Sequence, residues 1–396
     1  MKLSDRLNRL APSATLAMSQ KSNELKAQGI DIINLSVGEP DFNTPDHIKE
    51  AAKKAVDDNY SRYSPVPGYP VLKQAIVDKL KNENGLDYTP AQIVCSNGAK
   101  QSVCNTLLAL VGEGDEVIIP APYWVSYPQM VLMADGTPVH IEAGIEQDFK
   151  ITPEQLEAAI TPRTRALILC SPSNPTGSVY SADEFEALAA VLRRHENVIV
   201  ISDEIYEHIN YVGRHASIAA CEGMKERTVI INGVSKAYAM TGWRIGFIAA
   251  PEEIAKACNK LQGQYTSGPC SVSQIAAAEA FAGDQACVER MRQAFERRKD
   301  LIVKLTSEIS GLEVNNPDGA FYVFPKCSSF FGKTDGTRTI GNSMDFAMYL
   351  LEVGHVATVG GDAFGSPECF RMSYATSDEN IVEALRRIKE ACARLH

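Results

Sequence analysis

Between Ala91 and Ala282 short, almost wholly apolar runs alternate with stretches of helical periodicity, and this alternation constrains the chain more than any other feature. Ile93–Cys95, Glu116–Ile119, Arg165–Cys170, Val198–Ile201, Thr228–Ile231 and Gly246–Ala249 read as strands. Gln101–Val111, Trp124–Met133 and Ala182–Arg194 read as helices, and Pro251 opens another. Strands that lack polar alternation must be covered on both faces, and strand–helix repetition supplies that cover around a mostly parallel sheet. The expected class is therefore α/β, with a large domain over residues 46–285.

The remainder has a different rhythm. Arg290–Ile309 is a long charged helical pattern. After Gly311 come short strand signals at Ala320–Phe324, His355–Val359 and Phe370–Tyr374, a helix around Met344–Glu352 and a terminal helix from Asp378. These predict a smaller α+β unit over 286–396. Residues 1–45 carry one helix signal, Thr15–Gln28, and the turn Gly38-Glu39-Pro40-Asp41. Too short to fold alone, they are expected to pack on that smaller unit and complete it.

The net charge of −10 argues against nucleic acid or an anionic membrane as the main partner. No stretch reaches the ~18 apolar residues of a membrane span, and Met1–Leu10 lacks the apolar run of a secretion signal, so a cytoplasmic location is expected. Ten cysteines are scattered without a C-x-x-C pair. With Cys95, Cys104, Cys170 and Cys258 in apolar runs, they read as buried thiols rather than a disulfide framework or a zinc site. The histidines, His208 and His355 among them, show no metal-ligand spacing, and no metal is expected.

Open parallel sheets bind ligands at the carboxyl ends of their strands. Polar residues gather at those ends here: Ser96-Asn97-Gly98-Ala99-Lys100, Ser171 to Gly177, Asp203 with Tyr206, and Ser235-Lys236, with Arg244 eight residues on. Singly, each reads as a loop or cap residue. Asn97-Gly98-Ala99 opening a helix is in addition an anion cradle, because free backbone amides and the helix dipole face the ligand.

Competing motifs fail on single residues. There is no G-x-G-x-x-G. Gly332-Lys333-Thr334 resembles the end of a nucleotide-binding loop, but Cys327 stands where its first glycine belongs. Gly233-Val234-Ser235-Lys236-Ala237 resembles a hydrolase nucleophile elbow, but ends in alanine. The chemistry that a desolvated lysine, a buried aspartate, an amide, a phenol and an arginine jointly suit is that of carbonyls and imines. The lysine supplies an unprotonated amine and the aspartate keeps a pyridine nitrogen protonated. The amide and phenol bond a phenolic oxygen, and arginine, serine and helix amides hold a phosphate.

The motifs Val37-Gly38-Glu39-Pro40-Asp41-Phe42, Pro122-Tyr123-Trp124-Val125-Ser126-Tyr127-Pro128, Ser173-Asn174-Pro175-Thr176-Gly177, Ser202-Asp203-Glu204-Ile205-Tyr206, Ser235-Lys236-Ala237 with Thr241-Gly242-Trp243-Arg244-Ile245-Gly246, and Phe370-Arg371-Met372-Ser373-Tyr374-Ala375 span nearly the whole chain. On these the sequence resembles the class I/II aminotransferases, fold-type I pyridoxal-phosphate enzymes. It is most similar to the bacterial aspartate aminotransferases that carry a lysine in the glycine-rich helix turn.

The resemblance implies pyridoxal 5′-phosphate as cofactor. It makes Lys236 the Schiff-base lysine and proton shuttle, and Asp203 the partner of the pyridinium nitrogen. Asn174 and Tyr206 are placed at the phenolic oxygen and Trp124 on the ring. Gly98, Ala99, Ser235 and Arg244 are placed at the phosphate, joined by Tyr63 from a neighbouring subunit. Arg371 takes the substrate α-carboxylate beside Gly38 and Asn174, and Lys100 takes the distal one. Gly233 departs from relatives that carry a serine there, so one phosphate contact is expected to be missing. The implied protein is a homodimer with shared sites, acting on amino acids and 2-oxo acids, and transferring the amino group of aspartate to 2-oxoglutarate. Prephenate or aromatic substrates are the alternative, and a serine hydrolase using Ser235 a distant one.

Overall fold

The alternation builds one central sheet. The computed structural model describes residues 3–396; Met1 and Lys2, the first residues of the expected small unit, lie outside the described residues. A two-residue strand, β1 (Ile33–Asn34), precedes β2 (Ile93–Asn97), β3 (Glu116–Ala121), β4 (Thr137–Glu142), β5 (Thr164–Cys170), β6 (Ile199–Asp203), β7 (Thr228–Gly233) and β8 (Ile245–Ala249). The last seven of these form a sheet in the order β2-β8-β7-β6-β5-β3-β4. All its strands run the same way except β8, which is antiparallel to both β2 and β7. The central strands are buried along almost their full length, as strands covered on both faces must be.

Several details depart from the sequence reading. β4 was not anticipated: its Pro138 and His140 and its half-exposed edge position dilute the apolar signal. The helix expected at Trp124–Met133 begins at Tyr127. All ten cysteines are free, but Cys104, Cys170 and Cys221 are only partly buried and Cys270 is exposed, so burial does not hold for every thiol.

The later residues supply β9 (Tyr322–Val323), β10 (Val356–Ala357), β11 (Val359–Gly360) and β12 (Phe370–Ser373). β9, β11 and β12 make an antiparallel sheet with β12 central, and β10 pairs in parallel with β1. The long helix Ala286–Ser307 and the terminal helix Asp378–Cys392 cover them through Phe295, Ile302, Ile381, Leu385 and Ile388. The N-terminal segment is woven in: Met18 and Ile32 pack with Ala347, Leu351 and Ala357, and the Ser373 amide donates to the Leu35 carbonyl at 2.8 Å. Arg298 bonds both oxygens of Asp41 at 2.8 and 2.9 Å and lies against Phe42. The chain around Gly38 is thus fixed at the mouth of the carboxyl edge. Among the described residues, no helix is long and apolar enough to cross a membrane.

Candidate active site

The carboxyl edge of the large sheet opens into a cavity of about 430 Å³. β2 ends at Asn97, β5 at Cys170, β6 at Asp203 and β7 at Gly233, and the segments that leave these ends form the cavity wall. β8 runs the other way, so its beginning reaches the same edge. Asn97 pairs with Ile245 and Gly233 with Gly246, which sets Arg244 beside the helix Ala99–Leu110. Gly98 caps that helix at φ 80°, where a side chain would be strained, and a Cβ there would run into the Arg244 guanidinium. Arg244 itself adopts φ 58°, held by bonds from its guanidinium to the Thr241 and Asn97 carbonyls at 2.8 and 3.2 Å. Backbone strain of this kind costs on the order of 1–3 kcal/mol and gathers where a side chain must be aimed.

Lys236 leaves β7 and donates through Nζ to the Gly38 carbonyl at 2.6 Å. Desolvation pushes its pKa down to about 8; Arg371 and Arg244 add to this against the pull of Glu39 and Asp203. An amine in that range is available in neutral form near physiological pH. Asp203 is buried with no cation in contact, and burial pushes its carboxyl up to about 6. The Tyr127 hydroxyl, donating to Oδ2 at 2.7 Å, and the Ile205 amide, donating to Oδ1 at 3.3 Å, favour the ionised form.

Arg371, central in the small sheet on β12, is 2% exposed. Nη1 donates to Asn174 Oδ1 at 2.9 Å and Nη2 to the Ser36 carbonyl at 2.6 Å, while Nε has no partner. Its guanidinium lies 4.6 Å from the Tyr322 ring centroid and 5.0 Å from that of Phe364. With Oδ1 occupied by Arg371, Asn174 keeps its amide donors for the cavity. The Tyr206 hydroxyl lies 2.8 Å from that of Tyr322. Trp124 meets Tyr127 edge-on, and the Lys100 ammonium stands 4.9 Å over the Trp124 ring. Desolvation first, then the like charge of Arg244, lowers the Lys100 pKa.

Gly38, Ala99, Lys100, Trp124, Asn174, Asp203, Tyr206, Ser235, Lys236, Arg244 and Arg371 all line this one cavity. Gly98 stands directly behind Ala99. Tyr63 does not join them within the chain: it is 98% exposed. The sequence reading passed over Tyr127 and Glu39, although both lie inside quoted motifs, and Tyr322, which carries no local signal beyond an apolar run. Gly233 also has a steric reason, since a Cβ there would come within 2.6 Å of the Ile245 carbonyl oxygen. No histidine is among the described residues lining the cavity, so Ser235 has no Ser-His-Asp arrangement there. Beneath the site, Lys79 pairs with buried Glu207, which also accepts from Asn84 and Asn232 at 2.9 and 2.8 Å. His208 lies 2.9 Å from Glu83, so it belongs to the same ion-pair network.

The lining holds four cations, Lys100, Lys236, Arg244 and Arg371, against two carboxylates, Glu39 and Asp203. In a chain of net charge −10 this local excess is a binding potential for a small polyanion. The orphaned Nε of Arg371 and the glycine-walled helix start show where its charges would be received.

Comparison with known proteins agrees. Residues 30–388 match the family described as aminotransferase class I and II. An aspartate/prephenate aminotransferase of Cereibacter sphaeroides is 52% identical over 396 residues, covering 99% of each chain. The crystal structure of an aspartate aminotransferase from Rhizobium meliloti superposes with a TM-score of 0.97 at 45% identity, covering 100% of both chains. The Thermus thermophilus aspartate aminotransferase with maleate does so at 0.93 and 41%, covering 99% of this chain and 100% of that one.

Proposed function

The chain belongs to the class I and II aminotransferases, and on that premise we propose that it moves the amino group of L-aspartate to 2-oxoglutarate, giving oxaloacetate and L-glutamate, with pyridoxal 5′-phosphate as cofactor. The observation that carries this reading is the convergence of Lys236, Asp203 and Arg371 on one cavity with a cationic excess. The residues fit the cofactor. Arg244, Ser235 and the amides after Gly98 suit its phosphate, Asp203 its ring nitrogen, Asn174 and Tyr206 its phenolic oxygen, and Trp124 its ring face. When bound, pyridoxal phosphate supplies a carbonyl that condenses with amines and a ring that accepts the electron pair left as a Cα–H bond breaks.

The chain's own residues do the rest. Asp203 lacks a cation in contact, and a protonated ring nitrogen would restore its full ionisation. Lys236 Nζ, depressed to about 8, takes the Cα proton and returns it. Arg371, seated against two rings with its Nε–H unbonded and a second N–H left on each Nη, forks onto the α-carboxylate. Lys100 receives the distal carboxylate of aspartate, and the maleate bound by the Thermus relative is likewise a dicarboxylate. No carboxylate is paired with Lys100 among the described residues, and a flexible ammonium can swing aside. That freedom favours aromatic substrates as a second activity, whereas prephenate, named for the Cereibacter relative, carries a second carboxylate that the ammonium would meet.

The working unit in this reading is a cytoplasmic homodimer in which Tyr63 reaches the partner's phosphate. Residues 46–285 act as its large domain, and 1–45 with 286–396 as its small one. A panel of amino donors against 2-oxoglutarate tests the proposal, with glutamate followed for every donor and oxaloacetate, by coupled NADH oxidation, for aspartate. Aspartate should be a leading donor; a loaded enzyme that transfers from other donors but not from aspartate would overturn the assignment.

A further inference from the structure

Tyr322 is 1% exposed and lies on the cavity wall between two residues with proposed roles. Its ring carries the Arg371 guanidinium at 4.6 Å, and its hydroxyl lies 2.8 Å from that of Tyr206, its one hydrogen-bond partner among the described residues. A Cβ at Gly38 would collide with this hydroxyl, so the absence of a side chain there leaves it room to reach Tyr206. The two rings meet edge-on with centroids 5.8 Å apart, a packed arrangement that holds the oxygens together.

A hydroxyl has one proton to give. If Tyr206 gives its proton to the cofactor's phenolic oxygen, as proposed above, the 2.8 Å contact stays hydrogen-bonded only with Tyr322 as donor. We infer that Tyr322 is a positioning residue: its hydroxyl donates to the Tyr206 oxygen and fixes the direction in which Tyr206 donates. Two physical effects follow. Tyr206 does not lose its proton to an alternative acceptor on the Tyr322 side, and a donor that is itself accepting a bond is a stronger donor. The cation on the Tyr322 ring draws electron density from the phenol and strengthens its O–H as a donor. Arg371 and Tyr206 are thereby linked through one side chain, so the carboxylate-binding and ring-binding ends of the site share a component.

The inference rests on the Tyr206 assignment, and the experiment separates the two. Tyr206→Phe, Tyr322→Phe and the double variant are loaded with pyridoxal phosphate, and the visible absorbance of the bound cofactor is titrated with pH without substrate. A donor on the phenolic oxygen competes with a proton for it, so a weaker donor leaves the cofactor protonated to higher pH. Tyr206→Phe should raise the titration midpoint. Tyr322→Phe, which keeps the ring under Arg371, should raise it less, by roughly half a pH unit. In the Tyr206→Phe background Tyr322→Phe should add nothing, the signature of a residue acting through another. An unmoved midpoint in Tyr322→Phe beside a moved one in Tyr206→Phe would overturn the relay alone. Equal shifts in both backgrounds would overturn it as well, by showing direct action on the cofactor. No shift in Tyr206→Phe would instead remove the Tyr206 assignment, and the relay with it.

Discussion

Replacing Lys100 by alanine tests how the site recognises a second carboxylate. In the free chain the ammonium is not neutralised by any described carboxylate; it rests 4.9 Å over Trp124 with Arg244 as an unfavourable neighbour. A distal carboxylate arriving there gains a charge-assisted bond at a cavity mouth that is partly desolvated. Losing one partner of a desolvated charge pair costs about 2–5 kcal/mol. Because the side chain keeps one flank in solvent, the lower part of that range applies. About 2–3 kcal/mol corresponds to a fall in kcat/KM for aspartate of roughly 30- to 150-fold. An aromatic donor makes no such pair. It loses only the cation over Trp124, about 0.5–1 kcal/mol at an exposed site, so its kcat/KM should change by no more than about fivefold. Steady-state kinetics of both donors against 2-oxoglutarate supply the comparison. Equal losses for the two would refute the reasoning and move Lys100 to holding the cofactor or the helix start.

Four further perturbations have defined outcomes. Tyr127→Phe removes a bond that favours ionised Asp203, so the carboxyl should titrate above about 6; cofactor uptake by the apoprotein, which weakens as pH falls through this pKa, should fail at a higher pH than in the parent. Lys79→Met leaves buried Glu207 without its ammonium partner, though still bonded by Asn84 and Asn232 and near His208, and should destabilise by about 3 kcal/mol, read as a lower urea midpoint; since the pair holds the Glu207 pKa below the ordinary range, its contribution in the parent is full above about pH 4.3 and fades as pH falls below that. Gly233→Ser should not improve cofactor affinity and should cost about 1–3 kcal/mol of stability, because its Cβ meets the Ile245 carbonyl; tighter cofactor binding at unchanged stability would contradict this. Mixed dimers of Lys236→Ala and Tyr63→Phe chains should regain activity at the hybrid site that carries neither lesion, and no recovery after demonstrated exchange would place Tyr63 in its own subunit's site.

The sequence revealed most where chemistry and strand ends coincide. Asp203, Lys236 and the Asn97-Gly98-Ala99 turn stand directly after apolar runs, so strand recognition alone brings them to one edge. Arg371 needed the resemblance, because an arginine within a short strand carries no local sign of whether it faces solvent or a cavity. β4 escaped because an edge strand with Pro138 and His140 is neither continuously apolar nor cleanly alternating. Tyr322 escaped for a deeper reason. Its role depends on Gly38 and Arg371, 284 residues before it and 49 after it, and no local window holds that relation. Gly233, read as a missing phosphate contact, has a packing reason that no local window shows: a Cβ there would come within 2.6 Å of the Ile245 carbonyl oxygen.

The reversal of β8 has a consequence for how such a site can diverge. The chain leaves the sheet after Gly233 and re-enters it, beside the strand it left, at Ile245. Everything between is a closed loop with both feet clamped in adjacent hydrogen-bonded rungs, and it carries both the amine of Lys236 and the guanidinium of Arg244. The span between those two groups is therefore set like the jaws of a caliper, by a fixed count of residues rather than by the relative placement of domains. Drift in the outer helices, or rotation of the smaller unit, leaves that setting untouched, whereas one residue inserted or deleted between Ala237 and Trp243 would reset it. The residues on the facing walls are free to vary, while the gauge between amine and guanidinium stays constant.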